Sequence, residues 1–169
     1  LHITLTMIRR LLFSGHMIDQ PDRETPRFPA NHENRVRNAL EKVIQDMASS
    51  HTCHGISSAA AGGDLLFLEL CHTYQIPCEI YLPYPPDIFR KESVDYAGGD
   101  WPRRFDNALQ RSKLSVMQNI SSNKNVYTLT NERMIEEAMK FPANEILLVT
   151  VWNCKKGDGG GGTWEMVEA

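Results

Sequence analysis

The sequence predicts an α/β fold, Rossmann-like and doubly wound, with a mostly parallel sheet and helices on both faces. Short apolar runs alternate with segments of helical spacing, the pattern of successive β-α units. Three of those runs empty into glycine turns: Ser14-Gly15-His16, Ala61-Gly62-Gly63-Asp64, and Gly157 to Thr163. With 169 residues, 41% hydrophobic and 23% charged, the chain has the makings of one domain with a real core.

In chain order, Leu11 to Ser14 is a short strand, and Met17 to Asn31 a polar loop punctuated by prolines. Helical spacing through Val36, Leu40, Val43, Ile44 and Met47 marks a helix from Asn31 to Ser49, with Asn31 as its cap. The small residues from Gly55 to Ala61 predict a buried strand stopped by Gly62-Gly63, and Asp64 to Tyr74 a helix. Cys78 to Leu82 is a strand ended by Pro83, Tyr84 to Gly99 reads as loop, and Trp101 to Lys113 as helix. Leu114 to Asn119 is a further strand; a helix then starts at Thr130 and precedes the apolar run Ile146 to Trp152. Thr163 begins a last helix, and its short extent predicts that the chain is part of a longer polypeptide.

No apolar stretch reaches the roughly 20 residues that span a bilayer, and the first ten residues, with Arg9 and Arg10, lack a signal-peptide layout, so a cytoplasmic protein without membrane association is expected. Cys53, Cys71, Cys78 and Cys154 form no CxxC pair and read as reduced thiols. His51-Thr52-Cys53-His54 lacks a second ligand pair and reads as a turn, so no metal site and no cofactor is called for. A net charge of −3 disfavours nucleic acid as a partner.

In a parallel sheet the three glycine turns fall on one edge, where ligands of such folds bind. Gly157-Asp158-Gly159-Gly160-Gly161-Gly162-Thr163, between a strand and a helix start, presents backbone N–H groups to one spot and suits a phosphate. It is not a Walker loop, because no Lys follows the glycines. Asp158 would repel a phosphate beside it, and faces a ribose hydroxyl or caps the turn. Gly62 and Gly63 allow close approach of a ligand or make a tight packing turn, while Asp64 contacts ligand or caps its helix. Ser14, Gly15 and His16 close the first strand, and in the long loop behind them either Arg23 or Arg27 clamps a phosphate, with Arg27 between Pro26 and Pro29 the better candidate, or the loop is a solvated one held by its prolines. Arg133, in a first helical turn, either meets a bound anion or pairs with Glu136 or Glu137.

Taken together, the strand ending in Ser14-Gly15, the Gly62-Gly63 turn and the Gly159-Gly160-Gly161-Gly162-Thr163 run ahead of a Glu-bearing helix resemble the SLOG superfamily. These Rossmann-like domains include LOG-type (Lonely guy) phosphoribohydrolases, the DNA-processing protein A fold and nucleotide-sensing domains. LOG-type enzymes carry PGGxGTxxE, and the resemblance implies that the glycines and Thr163 hold a nucleotide phosphate, with a glutamate and a helix arginine cleaving the N-glycosidic bond. Here Asp158 stands in place of the proline, and Met166 in place of the glutamate, with Glu165 one residue earlier, turned by about 100° on a helix. Glu165 and Arg133 are thus the catalytic candidates of a LOG-like nucleoside 5′-monophosphate phosphoribohydrolase. The expectation placed first is instead a domain that senses a nucleotide or nucleotide-derived ligand. Room is left for a homo-oligomer and for a fused effector module.

Overall fold

The computed structural model describes residues 8–118, 124–156 and 161–169. Five parallel strands, β1 (Ile8–Gly15), β2 (Thr52–Ser57), β3 (Cys78–Leu82), β4 (Lys113–Val116) and β5 (Ile146–Val151), form one sheet. Their spatial order is β4-β3-β2-β1-β5. The helices are α1 (Glu33–Ser50), α2 (Gly63–Thr73), α3 (Pro86–Ser93), α4 (Trp101–Gln110), α5 (Val126–Ala138) and α6 (Thr163–Glu168).

Successive β1 side chains point to opposite faces of the sheet, and the two cores follow from that alternation. Leu11 and Phe13 enter a large core with α1, α2 and α4, in which Phe13 stacks on Phe67 at 4.6 Å between ring centroids. Leu12 enters a smaller core with Ile56, Tyr81, Met134 and Met166, beneath α5 and α6. Both faces are therefore covered, as an all-parallel sheet requires.

From β1 to β4 the chain steps in one direction across the sheet; α5 then carries it back, and β5 joins the free side of β1. Strand order reverses there. The crevice outside the C-terminal ends of β1 and β5 is a topological switch point.

Several elements depart from the sequence expectation. Residues 52–54, expected in a turn, open β2, where Cys53 pairs with Arg9 and His54 with Arg10. The strand ends at Ser57, so the small residues 58–61 are a buried turn instead. Within the expected loop from Tyr84 to Gly99 lies α3, because Pro86 at the first helical position has no N–H to lose and a preset φ. Helix α1 starts at Glu33 after a 3-10 turn at Ala30–His32, so Asn31 is not its cap. Helix α5 starts four residues before Thr130, where Asn125 accepts the N–H of Tyr127 at 2.8 Å. Cys53, Cys71 and Cys78 are buried free thiols, whereas Cys154 is exposed.

Candidate functional site

The end of β1 meets the start of α2 backbone against backbone. A Cβ on Gly15 would stand 3.2 Å from the Gly63 Cα, and one on Gly63 would stand 3.1 Å from the Gly15 Cα. His16 ties this contact together: its N–H donates to the Val151 carbonyl at 2.8 Å, and its own carbonyl accepts the Gly63 N–H at 3.0 Å. Gly62 has φ +131°, and a Cβ there would lie 2.7 Å from the His16 carbonyl oxygen and the Ile18 nitrogen. Only glycine fits this turn.

The β5 side closes in a different way. Ser14 Oγ donates to Thr163 Oγ1 at 3.3 Å, joining the first strand to the start of α6. Asn131 Nδ2 on α5 donates to the Gly161 carbonyl at 3.0 Å. Glu165 Oε2 accepts the Gly161 N–H at 2.7 Å and the Thr128 hydroxyl at 2.9 Å. Gly161 has φ +81° and is packed so closely that a Cβ would lie 2.1 Å from Tyr127 Cβ. Asp158, Gly159 and Gly160 lie outside the described residues.

Between these walls lies a cavity of about 270 Å³. Of the residues expected to bind ligand, it is lined by Ser14, Gly15, His16, Arg27, Asp64, Gly161, Gly162 and Thr163. Gly62 and Gly63 stand behind the lining and set its shape through the contacts above. Neither Glu165 nor Arg133 lines the cavity. The Glu165 carboxylate holds the glycine turn, and the Arg133 guanidinium pairs with Glu136 at 3.3 Å on an exposed face of α5.

The long loop after β1 is a built wall. Asp19 Oδ2 accepts the N–H groups of Arg27 at 2.9 Å and Phe28 at 3.0 Å, closing the segment on itself. Ile18 and Phe28 anchor it in the core, and Tyr96 donates its hydroxyl to the Ile18 carbonyl at 2.7 Å. Arg23 and Arg27 thereby stand at the cavity, with Lys155 also on its lining. Tyr96, Tyr127 and Trp164 supply aromatic surface. Burial lowers the pKa of His16, and the nearby Arg27 and Arg23 charges add to that against the raising influence of its Asn153 hydrogen bond and of Asp19. Burial has the opposite effect on Asp64, whose carboxyl is pushed up to about 7 although the Ala60 and Gly15 amides favour its charged form.

Sequence reasoning passed over Asp19, Tyr96, Thr128, Asn131, Lys155 and Trp164. Asn131 had a usable signal, since it stands two residues before Arg133, and two residues turn a helix by about 200°. If Arg133 pairs outward with Glu136 and Glu137, Asn131 must face inward.

No family model matches this chain, and no curated protein sequence matches it. Among the described residues no group of His, Cys, Asp and Glu is placed to hold a metal ion, and no helix is long and apolar enough to cross a membrane.

Proposed function

We propose that this chain binds a nucleotide or nucleotide-derived anion in the crevice between β1 and β5, and that it acts as a ligand-sensing domain of the SLOG type. The observation that carries this is the meeting of the Gly15, Gly62-Gly63 and Gly161 turns around one cavity at the switch point of the sheet. Arg23, Arg27 and Lys155 on its lining suit a phosphate, and the rings of Tyr96, Tyr127 and Trp164 suit a base. The cavity volume is near the lower bound of about 300 Å³ for small-molecule sites, which favours a mononucleotide-sized ligand over a dinucleotide.

Binding is better supported than bond cleavage. A phosphoribohydrolase needs a carboxylate aimed at the anomeric carbon to stabilise an oxocarbenium-like state. Glu165 is instead bonded to Gly161 and Thr128, and Arg133 is on the solvent side of α5. Calorimetry of the full chain against AMP, cyclic AMP, ADP and ADP-ribose tests the proposal, with saturable binding by at least one expected. Incubation with AMP is expected to release no free adenine. Adenine release that disappears in Glu165→Gln would establish the hydrolase in place of the sensor, and failure of the whole panel to bind would remove the nucleotide altogether.

A further inference from the structure

Asp64 differs from the other acids around the crevice. Asp19 uses Oδ2 on two amides of its own loop, and its Oδ1 faces Arg23 Nε at 3.5 Å. Glu165 is bound to the glycine turn. Asp64 is only 7% exposed, lines the cavity, and among the described residues pairs with no cation. The Ala60 N–H donates to its Oδ2 at 3.1 Å, and the Gly15 amide nearby favours its charged form. These fix the carboxyl group across the ends of β1 and β2. A carboxyl group keeps acceptor positions beyond the one that Ala60 uses, whether ionised or protonated, so capacity for a ligand is left.

Resting on the nucleotide reading above, we propose that Asp64 is the specificity-determining residue of the crevice, accepting hydrogen bonds from the 2′,3′-diol of a ribose, so that the site takes ribonucleotides over deoxyribonucleotides. The ionised form of a buried acid without a cation is unfavourable unless donors reach it. Arg23, Arg27 and Lys155 outnumber Asp19 and Asp64 on the same lining and so disfavour a cationic ligand, which favours neutral donor groups on an anionic molecule. A ribose phosphate meets both demands: hydroxyls for Asp64, and a phosphate for the arginines. The position agrees, because Asp64 follows β2, the immediate neighbour of β1, and in open α/β sheets an acid beside the glycine turn of the first strand is suited to read ribose hydroxyls.

The test compares AMP, ADP and GMP with their 2′-deoxy counterparts by calorimetry on the unaltered full chain, and adds IMP to probe the base edge. At least tenfold tighter binding of the ribonucleotide is expected, since a site built around a hydroxyl rejects the analogue that lacks it. In Asp64→Asn, with a thermal melt to confirm folding, the preference should fall to within about twofold. The comparison in the unaltered protein needs no variant, so a misfolded Asp64→Asn leaves it intact. Equal affinity for the ribo and deoxy forms overturns the role of Asp64 while leaving nucleotide binding in place. Equal affinity combined with much weaker IMP would assign the carboxyl to a base amino group instead. Failure of every ribonucleotide to bind would remove the nucleotide reading and this inference with it.

Discussion

The two walls of the crevice share glycines packed close to backbone but differ in what ties them. On the β1–β2 side, Gly15, Gly62 and Gly63 bring backbone against backbone, and the wall exists because side chains are absent. On the β5 side, Gly161 also abuts the backbone of Tyr127 and Thr128, and its turn is tied in addition by side chains reaching in from Asn131, Glu165 and, through Glu165, Thr128. A backbone wall cannot yield without moving strands, whereas a side-chain wall can be released bond by bond. A ligand in the crevice would therefore meet one fixed surface and one adjustable one.

The largest expected effect comes from Gly62→Ala. With φ at +131° and backbone atoms 2.7 Å from the new Cβ, the substitution should destabilise the domain by about 3 kcal/mol in urea unfolding. Gly161→Ala, at φ +81° and with Tyr127 Cβ 2.1 Å and the Tyr127 carbonyl carbon 2.6 Å from the new Cβ, is strained as well, but it presses on the first turn of α5 and not on a strand end, so ligand affinity should fall with a smaller loss of global stability. Equal losses from the two substitutions would break the contrast between the walls.

Glu165→Ala removes the acceptor for Gly161 and Thr128 and should cost about 2 kcal/mol, the range for a hydrogen bond to a charged group, detected chiefly as faster amide exchange at Gly161 and Gly162. Unaltered exchange there would show that the carboxylate does not hold the turn.

The fixed wall should carry a pH signature. Burial raises the folded-state pKa of Asp64 to about 7, above its unfolded value, so the folded form binds the proton more tightly. The stabilisation from this group is complete below about pH 4 and is lost as pH rises toward 7. Asp64→Asn should abolish that share of the slope, seen as a melting-temperature difference from the unaltered protein that changes across this window. A constant difference from pH 4 to 7 would contradict the burial of an unpaired acid. The smallest effect belongs to Arg133→Ala, which should change stability by no more than about 0.5 kcal/mol and leave ligand affinity intact, because the guanidinium is 45% exposed and pairs along its own helix.

Much of the fixed wall is legible in the sequence. Alternating apolar and helical segments predicted the parallel sheet, β3 falls on Cys78–Leu82 as expected, and the Gly15 and Gly62-Gly63 turns were recognised from residue type. That is natural, because glycine at a strand end announces a backbone requirement in its own letter. The adjustable wall was harder to read. Its holding groups are ordinary helix residues whose roles depend on helical phase, and a shift of one or two positions separates the inward Asn131 from the outward Arg133. The family resemblance makes Glu165 the cleaving candidate of the hydrolase alternative although it sits one residue off the motif, and in the fold it bonds back to Gly161 four residues earlier. Helix α3 hid because a proline-rich start resembles a loop, and the opening of β2 hid because its polar His and Thr residues alternate with Cys53 and Gly55.

The central claim is that the crevice joining β1, β2 and β5 is where a nucleotide binds. Amide chemical-shift mapping of the full chain during titration with AMP and ADP-ribose tests it most directly. The expected result is saturable shifts at Ser14, Gly15, His16, Arg27, Asp64 and residues 161–163, with little change along the outer groove between α3 and α4, which Arg90, Lys91, Asp106 and Leu109 line. Shifts confined to that outer groove, or none at millimolar ligand, would contradict the assignment.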